Sequence, residues 1–100
     1  MTHAVPYRST PVFTNDTLPE ALRRAHSTKT GVWGLLKVLK GSIVYVIEET
    51  GERQLVQAPG TIMILPQLLH CVVPQGEMEM RVEFYHEPPE LTLAKSSSQT

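Results

Sequence analysis

Gly31-Val-Trp-Gly-Leu-Leu-Lys-Val-Leu-Lys-Gly-Ser-Ile-Val-Tyr-Val-Ile-Glu-Glu-Thr-Gly51 opens a region of short strand-like runs that continues to Tyr85. The runs are Val32 to Leu39, Ser42 to Glu48, Arg53 to Gln57, Thr61 to Leu65, His70 to Val73 and Glu77 to Tyr85. Each is rich in β-branched or aromatic residues, and turn chemistry separates them: Lys40-Gly41, Glu49-Thr50-Gly51, Pro59-Gly60, Pro66 and Gln75-Gly76. Strands at this spacing, with no helix between them, exclude a parallel βαβ sheet and predict an all-β fold, a small antiparallel β-barrel or jelly-roll sandwich.

Working outward, residues 1–16 read as an extended arm punctuated by Pro6, Pro11 and Asn15-Asp16. Thr17-Leu18-Pro19-Glu20 has the pattern of a capping box and predicts one short helix over 17–25. Residues 31–85 form the β-rich body, and 87–100, ending Ala-Lys-Ser-Ser-Ser-Gln-Thr, read as a flexible tail. One hundred residues suffice for a single domain. A core this small buries only ~60–65% of the unfolded surface, which makes a homodimer a reasonable expectation.

Charge excludes several functions. Nine Lys and Arg against ten Asp and Glu give a net charge of −1, without the basic face that nucleic acid requires. There is no basic amphipathic helix for a membrane surface and no apolar run long enough to cross one. The N-terminus lacks the charged start and apolar stretch of a secretory signal. The single cysteine, Cys71, cannot form an intramolecular disulfide and suits a reducing cytoplasm. Its simplest role is that of a small buried hydrophobe.

In the last strand Met78, Met80, Val82 and Phe84 share one face, and Glu79, Arg81, Glu83 and Tyr85 the other. The plain reading turns the apolar row inward. The alternative lines a cavity with the polar row and gives the Met-rich row to the helix or a second subunit.

Two segments resemble the paired motifs of cupins. Gly60-Thr-Ile-Met-Ile-Leu-Pro66-Gln-Leu-Leu-His70 is similar to the second motif, and Val38-Leu39-Lys40-Gly41 to the end of the first, a strand closing in a hairpin glycine. Tyr7-Arg8-Ser9-Thr10-Pro11-Val12-Phe13, Leu22-Arg23-Arg24-Ala25-His26-Ser27-Thr28-Lys29, Gly31-Val32-Trp33-Gly34 and Val82-Glu83-Phe84-Tyr85 together resemble one cupin-like family, DUF1971. That family comprises the N-terminal module of TehB-type tellurite-resistance proteins and stand-alone YeaR-like proteins. The resemblance implies a link to tellurite or another oxyanion, and to stress response. It does not extend to methyl transfer, because this chain has no Gly-rich loop between a strand and a helix.

The first-motif ligand positions of cupins fall on Thr28, Thr30 and Gly34, none a usual metal ligand. The remaining candidates for a divalent ion (Zn, Fe, Mn or Ni) are His70 at the second-motif position, His26 in compatible phase, and Glu83 as a carboxylate. Each has a simpler reading: a hydrogen-bonded histidine at a strand end, a cation at a helix C-terminus, and a solvated charge beside Arg81. Arg8 is either an anion contact at the barrel mouth or, more simply, an exposed charge near a terminus; Trp33 and Tyr85 are more simply core or interface anchors, and His3 and His86 are incidental to the body. Three functions remain open: a module binding metal or a small ligand, a small metal-dependent enzyme with a partly open site, and a ligand-free dimerising regulatory module.

Overall fold

The computed structural model describes residues 5–89. Its elements are β1 (Arg8–Ser9), β2 (Phe13–Thr14), α1 (Glu20–Arg23), β3 (Trp33–Lys40), β4 (Ser42–Ile47), β5 (Glu52–Gln57), β6 (Gly60–Ile64), β7 (His70–Pro74) and β8 (Glu79–Tyr85). All ladders are antiparallel. A five-stranded sheet runs β1-β8-β3-β6, with β2 also on β8, and a three-stranded sheet runs β5-β4-β7. Of the two all-β forms that the sequence left open, this is the sandwich. The tail beyond Pro89 and His3 lie outside the described residues.

The chain changes sheet at most of its turns, and Gly41 makes the first such corner. β3 belongs to the larger sheet and β4 to the smaller, so Lys40-Gly41 does not close a hairpin, as the motif suggests, but carries the chain across the sandwich. Gly41 has φ +71°, and a Cβ there would stand 2.2 Å from the Glu77 carbonyl oxygen. Only glycine tolerates both. The Ala58-Pro59 peptide, at the crossing from β5 to β6, is cis.

The core lies between the sheets. Leu36 and Val38 of β3, Met80 and Val82 of β8 and Ile64 of β6 face Ile43 and Tyr45 of β4, Val56 of β5 and Val72 of β7. The plain reading of the last strand is therefore the observed one: Met78 and Met80 are buried in the core, and the Met-rich row is not open to a second subunit.

The helix is shorter than the sequence predicts, four residues against nine. Thr17 does not cap it. The Thr17 hydroxyl accepts from the Thr14 backbone N–H at 2.8 Å, and the N–H groups of Thr17 and Leu18 donate to the Thr14 carbonyl. A tight turn over Thr14 to Thr17 thus uses the groups that a capping box needs. Helix growth stops at Arg24, whose backbone is extended, and the chain then runs straight enough to join β7 at His26.

Candidate functional site

His26 and His70 meet directly. Each backbone N–H donates to the other's carbonyl at 2.9 Å, forming an isolated antiparallel bridge between the α1–β3 connection and the start of β7. The two rings lie 4.1 Å apart, tilted by 58°. His70 is 1% exposed and stacks on Tyr45 at 5.1 Å. In the strand His70 alternates with Cys71, so the imidazole faces the core side and the thiol the other. Cys71 donates to a Glu48 carboxylate oxygen at 3.2 Å. Burial and that carboxylate raise the thiol pKa, which keeps it protonated and unreactive at neutral pH.

Hydrogen bonding fixes the tautomers of both imidazoles. His70 Nδ1 lies 2.8 Å from the Leu68 carbonyl and His26 Nδ1 3.0 Å from the Arg24 carbonyl. A carbonyl oxygen only accepts, so each Nδ1 carries a proton, and the neutral form of either ring has its lone pair on Nε2. Burial lowers the His70 pKa, the Leu68 bond opposes this, and the nearby His26 ring lowers it further. His70 is accordingly neutral at pH 7. The pair thus offers two Nε2 acceptors.

Glu83 does not join them. It sits on the outer face of the larger sheet, paired in register with Leu35 and beside the Lys37–Arg81 pair. Its carboxylate takes Lys37 Nζ and an Arg81 guanidinium nitrogen at 3.2 Å each, and accepts from the Tyr85 hydroxyl at 2.8 Å. Burial alone would raise its pKa; the Tyr85 bond and the two cations outweigh it and hold the carboxyl below the usual range. The structure therefore does not bring Glu83, the third candidate ligand, to the two histidines: residues 82 and 84 face the core, and residue 83 faces away from it.

The metal site that the cupin resemblance implies therefore does not fit as a three-donor set. No group of three or more His, Cys, Asp or Glu is placed to hold an ion among the described residues. Two imidazoles leave most of a divalent ion's coordination sphere to be supplied from elsewhere.

Both histidines line a cavity of about 450 Å³, within the range of small-molecule sites. The N-terminal arm forms one wall with Tyr7, Arg8, Thr10 and Phe13; α1 and the segment after it add Leu22, Ser27, Thr28 and Lys29. The floor is apolar: Leu36, Ile64, Val72, Met80 and Val82. The arm is held by β1 and β2 on β8, by the Tyr7 N–H on the Phe84 carbonyl, and by Tyr7 stacked on His86 at 3.9 Å. Sequence reasoning placed Arg8 at this mouth but passed over Lys29 and Tyr45. The alternation of β4 marks Tyr45 as inward, which was the available signal.

A family model described as the TehB-like domain matches residues 8–82. Over 47 residues the chain is 47% and 45% identical to two proteins of Haemophilus influenzae strains, each named a probable S-adenosyl-L-methionine-dependent methyltransferase TehB. That match takes in 46% of this chain but only 16% of either relative. The crystal structure of TehB from H. influenzae superposes with TM-score 0.74 at 25% identity, covering 98% of this chain and 37% of that one. A structure from Escherichia coli K12 superposes with TM-score 0.77 at 21% identity, covering 90% of this chain and 96% of that one, a likeness of fold.

Proposed function

Because the chain belongs to the TehB-like domain family, we propose that it is a binding module that holds a small molecule in the cavity at the His26–His70 pair, without methyl transfer of its own. The observation that carries this reading is the coincidence of an apolar cavity with two imidazoles whose tautomers are fixed by the backbone. Two pre-oriented acceptors in an apolar pocket are what specific binding uses. The resemblance to tellurite-resistance proteins supports a role in handling a toxic oxyanion or the metabolites that accompany it. The single cysteine supports a cytoplasmic setting, and the small core supports a homodimer, which sedimentation tests.

Ligand-observed NMR with a fragment library tests the binding reading. Hits are expected that Leu22→Trp, at the partly buried wall of the cavity, abolishes while the fold is retained. A library without one cavity-dependent hit overturns the reading.

A second reading rests on the two Nε2 lone pairs: a divalent ion (Zn, Fe, Mn or Ni) bound there, with the ligand completing its coordination. Metal analysis of untagged protein and melting across a metal panel test it. No bound metal, and no shift that His70→Ala removes, sinks it.

A further inference from the structure

The chemistry of the cavity selects among ligands, an inference that rests on reading the cavity as a binding site. Among the described residues no Asp or Glu lines it, and its charged side chains are Arg8 on β1 and Lys29 after α1, both exposed at the rim. Deeper in, Leu36 and Met80 are fully buried, and Val72, Val82 and Ile64 nearly so. We infer that the cavity takes an amphipathic monocarboxylic acid, with its carboxylate at the rim on Arg8 and Lys29 and its hydrocarbon body against the apolar floor.

Exclusion fixes the class. A cationic ligand meets two like charges and no counter-charge. A small inorganic oxyanion satisfies the rim but leaves the apolar floor uncovered, and so gains nothing from it. A neutral apolar molecule fills the floor but makes no use of the guanidinium, whose planar fork matches a carboxylate through two parallel hydrogen bonds.

The histidines fix the orientation. His70, held neutral by burial and with its Nδ1 proton on the Leu68 carbonyl, presents a lone pair at Nε2, and a carboxylate set beside it would face lone pair against lone pair. The acid group therefore stays outside, and a hydroxyl on the ligand's body is the group that the imidazoles accept from.

The test is an amide NMR titration of the full chain with hexanoate, hexanol, hexylamine, sulfate and tellurite. Hexanoate is expected to shift the amides of Val72, Val82 and Phe84 and to bind roughly tenfold more tightly than hexanol. Replacing both rim cations (Arg8→Gln with Lys29→Gln) should bring hexanoate down to the level of hexanol and leave hexanol unchanged. Both side chains are exposed, so the fold should survive. Hexanol or hexylamine binding as well as hexanoate overturns the acid class while leaving a cavity that binds small molecules. Sulfate or tellurite binding more tightly than hexanoate does the same. If none of the five probes shifts a cavity amide, this inference falls, and cavity-dependent fragment hits would still separate that failure from failure of the binding reading.

Discussion

His26 and His70 are tied twice, by reciprocal backbone hydrogen bonds of 2.9 Å and by rings whose centres are 4.1 Å apart. Burial, offset in part by the Leu68 carbonyl and reinforced by the His26 ring, lowers the pKa of His70 from 6.5. The unfolded chain then binds more protons than the folded one as pH drops below 6.5, so acid destabilises the fold through this group. Its contribution is complete above 6.5 and is lost downward toward the folded pKa. Melting temperature should fall by several degrees from pH 7.5 to pH 5, and the fall should be shallower in His70→Phe. Parallel curves for the two proteins contradict this account.

A carboxylate on the outer sheet face titrates in a different window. The folded pKa of Glu83 lies below the ordinary 4.5, so its contribution is present above that value and disappears as pH falls through the folded pKa. Glu83→Gln leaves Lys37 and Arg81 without their shared partner. It should cost about 1–3 kcal/mol at pH 7, by urea unfolding, and far less at pH 3. An equal cost at both pH values would assign the effect to shape rather than charge.

Tyr45 and Tyr85 make a matched pair. Burial pushes both phenols up to about 12, yet only Tyr85 has a hydrogen-bond partner, Glu83, among the described residues. Tyr85→Phe should cost about 1 kcal/mol or more, because it removes a bond to a charged group. Tyr45→Phe removes a buried hydroxyl that no described residue satisfies, and should be neutral or stabilising by up to about 1 kcal/mol. Chemical denaturation of both variants decides, and a larger loss for Tyr45→Phe reverses the assignment.

Two glycines with almost the same backbone angle separate strain from crowding. Gly51 has φ +77° and nothing within 4 Å of a Cβ, whereas Gly41 has φ +71° and the Glu77 carbonyl in the way. Gly51→Ala should cost only the left-handed penalty, about 1–2 kcal/mol. Gly41→Ala should cost clearly more, since the β3–β4 corner and the turn leading into β8 must separate. Comparable losses in thermal unfolding would show that the corner yields easily.

Much of the fold was legible because period-two alternation and turn residues are local signals. The six longer strands lie close to where the runs of Val, Ile and Leu place them. What was not local was lost. Thr17 carries a cap signal, but its hydroxyl serves the turn with Thr14, and nothing in the four-residue pattern distinguishes the two uses. Glu83 shares its phase with Arg81 and Tyr85, so alternation already put it with the outward row, and the expectation of a third ligand overrode that signal. Its partner Lys37 lies 46 positions earlier in the chain and reaches it only through strand register. Phase already set His26 on the same side as His70, but the backbone bridge between them, which needs the helix to end by Arg24, is hidden by the periodicity of Leu18, Leu22 and Ala25.

Among the described residues β8 is the sole ladder partner of β1 and β2 and one of the two neighbours of β3. During synthesis β1 and β2 must therefore wait for the last of the eight described strands. Until Glu79 to Tyr85 emerge, the nascent chain can zip β4 with β5 and β7, but the arm has nothing to dock on and the chamber has no wall. The cavity at the His26–His70 pair therefore closes only once Tyr85 is in place, and no shorter stretch of the chain holds it.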